Sequence, residues 1–188
     1  MNILIAGAAG FIGTNLTLAL MKNPANHITI TDTDTSYFTN ETIIAANNVS
    51  CLALHTQTHN FENILENIDL VFHLVSTTNP SSSNNDIEAE LNENITSSTR
   101  LLEASVKHHV SKIIFISSGG TVYGNVACPI TENAPTNPIT AYGIQKLTIE
   151  KICHLYHCMH GIDYSILRLA NPYGPYQRPN GKLGALTT

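Results

Sequence analysis

The first thirty-two residues constrain the fold of this chain more than any other stretch. A short apolar run at 2–6 predicts a buried strand, residues 14–22 predict a helix, and a second apolar run at 27–32 predicts a strand that ends in the carboxylate of Asp32. Three glycines separate the first strand from the helix in the pattern G-x-x-G-x-x-G: Gly7, Gly10 and Gly13. This order of strand, glycine-rich turn, helix and strand predicts the first unit of a parallel α/β sheet.

The glycine pattern favours a dinucleotide site at the turn. The first glycine allows a tight turn, the middle one lets backbone approach a pyrophosphate, and the third lets the helix pack on the strand, while the helix N-terminus offers free N–H groups. Asp32 lies 19 residues after Gly13, where a carboxylate binds the adenosine ribose and repels a 2′-phosphate, so the sequence favours NAD over NADP. The alternatives are a purely structural turn and, because residues 1–21 carry no charged side chain, a signal peptide; the interrupting glycines and the lack of a basic start argue against the latter.

The composition fits a single domain and narrows the range of partners. With 188 residues, of which 43% are hydrophobic, the chain can bury a substantial core. Charged residues make up 12%, the net charge is −5 and no run of Lys or Arg occurs, so we expect neither nucleic acid nor a membrane as partner. The four cysteines have no framework spacing, which is typical of reduced thiols in the cytoplasm. Cys/His pairs within 153–160 lack the further ligands of a closed zinc site, so we expect no metal.

Apolar and amphipathic segments alternate to the end of the chain. The further predicted strands are 49–54, 70–74, 112–117 and 163–169, and the further predicted helices are 39–47, 60–67, 86–109 and 141–160. Several of the apolar runs are continuous, as in parallel strands covered on both faces. The pattern predicts an α/β fold with a doubly wound parallel sheet of the Rossmann type. The long loops 76–85 and 118–140 follow strand ends, at the sheet edge where ligands bind.

Tyr142 and Lys146 form a candidate catalytic pair at the start of the last predicted helix. They are four positions apart and therefore share one helix face. A phenol is a weak base because its ordinary pKa is about 10. We expect the nearby ammonium to lower the pKa of Tyr142, so that the phenolate can accept a proton from a hydroxyl while hydride leaves the same carbon. The alternative is a surface lysine beside a packed tyrosine.

Seven features carry a resemblance to a known family. They are G-A-A-G-F-I-G at 7–13, Asp32, V-F-H-L-V at 71–75, N-I-T-S-S-T-R-L-L-E-A at 94–104, S-S-G-G-T-V-Y-G at 117–124, Y-G-I-Q-K at 142–146 and L-R-L-A-N-P-Y-G-P at 167–175. With them the chain resembles the extended short-chain dehydrogenase/reductase family, and within it the NAD-dependent nucleotide-sugar epimerases and dehydratases of the UDP-galactose 4-epimerase type. The resemblance covers nearly the whole chain.

The resemblance implies a role for each matching residue. Those implied to bind NAD are Gly7, Gly10, Phe11, Ile12, Gly13, Asp32, Val75, Ser76, Thr77, Asn94, Lys146 and Pro172. Tyr142 is implied to be the catalytic base, Lys146 to hold the nicotinamide ribose, and Asn171 to contact the phosphates of a UDP-sugar. The implied reaction is 4-epimerisation through a transient 4-keto sugar with return of hydride. A nucleotide-sugar reductase or dehydrogenase and a catalytically silent NAD-binding module are the alternatives.

The chain departs from the family pattern at three points. Gly119 occupies the position of the usual catalytic Ser or Thr, and we expect Ser118 or Thr121 to replace its hydroxyl unless both only bind loop backbone. Gly120 and Thr121 stand where 4,6-dehydratases carry two acids, which argues against dehydration. Family members also continue well past residue 188, so we expect an NAD-binding domain at 1–170 and only the start of a substrate region at 171–188. The family further implies a homodimer formed through the helices at 86–109 and 141–160.

Overall fold

A single six-stranded sheet organises the protein in the computed structural model, which describes residues 1–54, 61–77 and 83–177. The strands are β1 (Asn2–Ala6), β2 (His27–Asp32), β3 (Val49–Ala53), β4 (Leu70–His73), β5 (Lys112–Ser118) and β6 (Asp163–Leu169). The helices are α1 (Phe11–Leu20), α2 (Glu41–Ile44), α3 (Ile87–Lys107) and α4 (Ala141–His160). All strand pairs are parallel and the order is β3-β2-β1-β4-β5-β6. The predicted doubly wound α/β fold is therefore confirmed.

Both faces of the sheet are covered, which explains the continuous apolar strands. In β1 the side chains of Ile3 and Ile5 belong to one buried cluster, together with residues of α1 and α2. Leu4 points to the opposite face and joins a second cluster with Phe115, Leu101 and residues of α4. Because successive side chains of a strand alternate between faces, every residue in the middle of β1 is buried and apolar.

The direction of winding reverses between β1 and β4, which are neighbours in the sheet. The segments after these two strands therefore diverge to opposite faces and leave a crevice at the carboxyl edge. The turn at 7–10, the start of the loop after β4 and the loop after β5 all lie at this edge. The topology thus brings the sequence motifs to one place.

Two predicted helices are shorter than their sequence pattern indicated. The helix predicted at 39–47 is the single turn α2, which begins where the Asn40 side chain accepts the Ile43 N–H. It is preceded by a 3₁₀ turn at Thr35–Tyr37. In place of the helix predicted at 60–67 there is a 3₁₀ turn at Phe61–Asn63, and residue 60 lies outside the described residues. Both segments are rich in Asn, which competes with the helix by binding nearby backbone.

The two long helices agree with prediction and begin at side-chain caps. Asp86 accepts the Ala89 N–H at the start of α3, and Thr140 accepts the Gly143 N–H at the start of α4. Gly161, in the left-handed conformation with φ of 76°, ends α4. Within the described ranges no helix is long and apolar enough to cross a bilayer.

Candidate active site

The turn between β1 and α1 has the geometry of a phosphate-binding turn. Gly7 has φ of +83°, and a Cβ there would lie 2.9 Å from the Val75 backbone nitrogen. At Gly13 a Cβ would lie 2.4 Å from the Ala8 carbonyl oxygen, so the helix reaches the turn only because this residue is glycine. Gly10 differs from both, because its Cβ would meet no atom nearer than 4.0 Å. The space above Gly10 is therefore open to a ligand.

The first turn of α1 presents its backbone N–H groups to that open space. Gly10 is the N-cap and provides no side-chain acceptor, and the first intrahelical bond runs from the Thr14 N–H to the Gly10 carbonyl oxygen. The N–H groups of Phe11 and Ile12 therefore have no acceptor inside the helix. No acidic side chain lies in this turn. The open space and the positive helix end fit the pyrophosphate of a dinucleotide.

Asp32 lies at the end of β2 beside the same turn. Its Oδ2 accepts the Ala9 N–H at 3.0 Å and its Oδ1 accepts the Thr33 N–H at 2.9 Å. The side chain is half-buried, so part of the carboxylate faces solvent at the edge. An ionised carboxylate can accept about four hydrogen bonds. Asp32 thus braces the glycine turn and keeps acceptor capacity for ribose hydroxyls.

Asn94 supports the loop after β4. Its Oδ1 accepts the Thr77 N–H at 3.1 Å, and its Nδ2 donates to Thr77 Oγ1 at 2.9 Å and to the Glu90 carbonyl at 2.9 Å. Ser98, which donates to the Asn94 carbonyl, also contacts His73 Nε2 at 2.7 Å. The Asn94 amide is therefore engaged in fixing the end of the segment 75–77, and the Val75 backbone lies against Gly7. Of the loop predicted at 76–85, residues 78–82 lie outside the described residues.

Tyr142 and Lys146 lie together on α4, as their spacing predicts. Lys146 Nζ lies 5.5 Å from the centre of the Tyr142 ring and 4.9 Å from that of Phe115, and it donates to the Ile116 carbonyl at 3.0 Å. The Lys146 side chain is buried, and this burial lowers its pKa to about 8, although the charge of Glu90 acts in the opposite direction.

The expectation that the pKa of Tyr142 is lowered is wrong for the protein alone. Burial raises the pKa of Tyr142, and the charge of Glu90 raises it further. The expectation rested on the lysine one turn away and left out both the burial of the phenol and the charge of Glu90 on α3. Tyr142 is therefore a protonated phenol near neutral pH in the protein alone.

The loop after β5 explains the glycine at position 119. The Gly119 N–H donates to the Leu169 carbonyl at 2.8 Å, and a Cβ there would lie 3.0 Å from the Arg168 carbonyl oxygen. A Ser or Thr at this position would pack tightly against the β6 backbone, which would have to move by a few tenths of an ångström. The Thr121 hydroxyl is buried and has no partner among the described residues, whereas the Ser118 side chain is partly exposed. Ser118 is thus the better placed of the two predicted hydroxyl groups.

A buried ion pair that the sequence motifs did not reveal holds both ends of this loop. Arg168 donates to Glu150 through Nε at 3.0 Å and Nη2 at 2.6 Å, and to the Tyr123 hydroxyl through Nη1 at 2.8 Å. Ser117 donates to the same carboxylate. Ser117 precedes Ser118 and Tyr123 follows Thr121, so the pair ties the loop to α4 and β6. The sequence contains no motif that indicates this ion pair, because Glu150 and Arg168 are 18 positions apart and lie in different elements.

The segment after β6 crosses the first turn of α1. The Pro175 carbonyl accepts a hydrogen bond from Asn15 Nδ2 at 2.8 Å, and a Cβ at Gly174 would lie 3.7 Å from the Phe11 ring. Asn171 and Pro172 are exposed where this segment leaves the sheet. Of the region predicted at 171–188, residues 178–188 lie outside the described residues.

Metal ligands do not cluster within residues 1–54, 61–77 and 83–177: no group of three His, Cys, Asp or Glu side chains there could hold a metal ion. His154 Nε2 and Cys158 Sγ lie 3.6 Å apart on the exposed side of α4, and both are exposed residues. Two side chains alone do not complete a zinc site.

Comparison with known proteins identifies the family to which this geometry belongs. The model of the NAD dependent epimerase/dehydratase family matches residues 3–188. The chain belongs to this family. Among its members, an uncharacterized UDP-glucose epimerase of Bacillus subtilis strain 168 is 33% identical over 188 residues, with 96% of this chain and 59% of the relative covered. A putative UDP-glucose 4-epimerase of Methanocaldococcus jannaschii is 31% identical over 192 residues, and the match covers 98% of this chain and 60% of that relative.

Solved structures in the family superpose closely on this fold. The UDP-glucuronic acid 4-epimerase of Bacillus cereus, in complex with UDP-glucuronic acid and NAD, has a TM-score of 0.88 at 32% identity and covers 96% of this chain. This chain covers 60% of that protein. The chain thus spans about 60% of the length of the relatives that it matches.

Proposed function

We propose that this chain is the cofactor-binding and catalytic half of an NAD-dependent nucleotide-sugar 4-epimerase. The proposal depends chiefly on one observation. A buried lysine and a tyrosine, one helix turn apart on α4, lie at the sheet edge that also carries an open glycine turn and a half-buried aspartate. A hydride-transfer site needs these two parts, because one binds the cofactor and the other moves the hydroxyl proton.

The residues at the edge fit NAD. The first-turn N–H groups of α1 would bind the pyrophosphate, and the Asp32 carboxylate would accept hydrogen bonds from the adenosine ribose while repelling a 2′-phosphate. Lys146 would donate to the nicotinamide ribose. Val75, Ser76 and Thr77 would border the cofactor, with Thr77 held by Asn94, and Pro172 would lie beside the nicotinamide. Bound NAD would supply the hydride acceptor.

Tyr142, Lys146 and Ser118 would then act on the sugar. As a phenolate, the Tyr142 oxygen would take the proton of the 4-hydroxyl group and return it after the 4-keto sugar has turned over. The Lys146 ammonium, 5.5 Å from the ring centre, favours the phenolate. Ser118 donates a hydrogen bond to the sugar oxygen, and Asn171 contacts the substrate phosphates. The absence of acids at Gly120 and Thr121 favours epimerisation over dehydration.

UDP-sugars are the proposed substrates, because the B. cereus neighbour was solved with UDP-glucuronic acid and several relatives are UDP-glucose 4-epimerases. A nucleotide-sugar reductase is the second candidate. It is favoured by a dTDP-4-dehydro-6-deoxyglucose reductase of Escherichia coli, which is 31% identical to this chain over 190 residues. A reductase consumes free reduced cofactor, whereas an epimerase regenerates its own.

The proposal extends to a cytoplasmic homodimer that packs α3 and α4 against a second copy. Ile144, Leu155 and Met159 on α4 are 43%, 51% and 63% exposed, and a second copy would bury them across a two-fold axis. Light scattering at micromolar concentration would then report near twice 20.4 kDa. A monomer under these conditions would contradict this part of the proposal.

The test of the function is interconversion of UDP-glucose and UDP-galactose. Residues 1–188 joined to the C-terminal part of the B. subtilis relative should epimerise without net consumption of NAD. The 188-residue chain alone should show little turnover, because the family's substrate contacts come mostly from the later part. Tyr142→Phe should abolish turnover of the joined protein and leave NAD binding intact. Turnover that persists in Tyr142→Phe would contradict the proposal.

A further inference from the structure

The structure buries one charged group in a visible ion pair and two others outside it. Among the described residues, two carboxylates and one ammonium are almost completely buried: Glu90 at 2% exposure, Glu150 at 6% and Lys146 at 2%. Glu150 is paired with Arg168 at 2.6 Å and also accepts the Ser117 hydroxyl. A charge removed from water needs an opposite charge nearby, because burial alone neutralises it. Lys146 therefore needs an anion other than Glu150.

The immediate contacts of Lys146 do not supply that anion. Among the described residues it contacts the Ile116 carbonyl at 3.0 Å and the rings of Phe115 and Tyr142, which are all neutral. His73 on β4 also acts on Lys146, but its own burial lowers the pKa of His73 to about 3, so the imidazole is uncharged near neutral pH. Glu90 on α3 is the buried acid beside this group. Ser98 of the same helix contacts His73, the His73 and Phe115 rings lie 5.2 Å apart, and Lys146 Nζ lies 4.9 Å from the Phe115 ring. In agreement with this placement, the charge of Glu90 raises the pKa of the ammonium, against the larger effect of burial.

We propose that Glu90 is a further positioning residue of the active site, the counter-ion that keeps the buried Lys146 ammonium charged. This inference deepens the epimerase proposal and rests on it, because that proposal gives Lys146 its role toward the nicotinamide ribose. An ammonium has three donors, of which the Ile116 carbonyl takes one, so two remain for a ribose. A neutral amine would bind the ribose less firmly.

The placement of Glu90 links it to the rest of the site. It lies one helix turn before Asn94, whose Nδ2 donates to the Glu90 carbonyl and to Thr77. One turn of α3 thus fixes the segment 75–77 beside the glycine turn and carries a buried carboxylate. The same carboxylate disfavours the Tyr142 phenolate. Glu90 therefore stabilises the charged form of Lys146 and destabilises the phenolate form of Tyr142.

The direct test is a pH titration of Lys146 in the 188-residue chain. NMR of lysine labelled with ¹³C at Cε monitors the titration, and Lys146→Met identifies the Lys146 signal. The wild-type midpoint is expected at about 8. Glu90→Gln should lower it by about one pH unit, a tenfold change in the protonation equilibrium, because the stabilising anion is lost. Glu88→Gln removes the same charge from an exposed position of α3 and should leave the midpoint unchanged.

Three outcomes would overturn the inference: an unchanged midpoint in Glu90→Gln, a raised one, or an equal decrease in Glu88→Gln. Glu90→Leu is a second neutral variant that needs no hydrogen-bond partner, and thermal unfolding verifies that each variant is folded. Glu90→Asp keeps the charge and should restore most of the wild-type midpoint. If neither neutral variant folds, Glu90→Asp decides: a Lys146 midpoint about one pH unit below that of Glu88→Gln, although the carboxylate is kept, would reject the counter-ion role.

Calorimetry with NAD tests whether the charge of Lys146 affects cofactor binding. Wild-type affinity should fall as pH rises through about 8, and in Glu90→Gln the fall should begin about one pH unit lower. Failure of wild type to bind NAD contradicts the epimerase proposal, whereas NAD binding with an identical pH dependence in both proteins contradicts only the role of Glu90.

Discussion

Breaking the Arg168–Glu150 pair should cost far more stability than breaking any exposed pair in the sheet. Arg168→Met leaves a carboxylate that is 6% exposed with only the Ser117 hydroxyl as a short-range donor. Removing one partner of a buried pair typically costs 3–5 kcal/mol. Because the Arg168 side chain is itself 20% exposed and water can enter, we expect the lower end, about 3 kcal/mol. For a domain of this size that is a decrease in Tm of roughly 6–12 °C.

Urea unfolding followed by circular dichroism measures this free energy. Lys112→Met is the control, since it breaks an exposed pair at 2.9 Å between Lys112 on β5 and Asp163 on β6, the strand that also carries Arg168. The control should change stability by only a small part of the Arg168→Met effect, because exposed pairs contribute little. The double variant Arg168→Met/Glu150→Met should recover most of the loss, because neither charge of the pair then remains buried. The reasoning would be refuted if Arg168→Met had a free energy of unfolding no lower than that of Lys112→Met. It would also be refuted if the double variant were less stable than Arg168→Met.

Three further predictions concern the turn, the cofactor and pH. Gly13→Ala should unfold or strongly destabilise the protein in thermal unfolding, because its Cβ would lie 2.4 Å from the Ala8 carbonyl, whereas Gly10→Ala should leave Tm nearly unchanged and weaken NAD binding. Calorimetry should give much weaker binding of NADP than of NAD, and Asp32→Ala should narrow the difference; equal affinities in wild type would contradict the role of Asp32. Burial lowers the pKa of His73 from its ordinary 6.5 to about 3 in the folded protein, so the stability from its neutral form is complete above about 6.5 and is lost as pH falls toward 3. His73→Gln should therefore show a shallower loss of unfolding free energy over this pH range, and an equal slope would contradict a buried neutral imidazole.

The local parts of the site were predictable from the sequence because each depends on short-range geometry. The glycine turn follows from backbone conformations that only glycine adopts easily, and the position of Lys146 near Tyr142 follows from helix periodicity. The doubly wound sheet follows from the alternation of apolar runs with helical segments. These features need no knowledge of which distant segments meet.

The parts that sequence reasoning missed depend on contacts between distant segments. Burial raises the pKa of Tyr142 and the charge of Glu90 on α3 raises it further, so the direction of the shift could not be predicted from the spacing of Tyr142 and Lys146 alone. Arg168 and Glu150 likewise meet only when β6 packs beside α4. Burial of the Thr121 hydroxyl and partial exposure of Ser118 also depend on the folded structure, so the sequence left the two hydroxyls as alternatives.

Calorimetric titration of the 188-residue chain with NAD tests the central claim most directly, when wild type is compared with Tyr142→Phe and Lys146→Met. We expect wild type to bind one NAD per chain. Tyr142→Phe should bind NAD with nearly the same affinity, because the Tyr142 hydroxyl acts on the sugar. Lys146→Met should bind NAD clearly more weakly, because the Lys146 ammonium binds the ribose. Absence of NAD binding in wild type, or an affinity unaffected by loss of Lys146, would contradict the central claim.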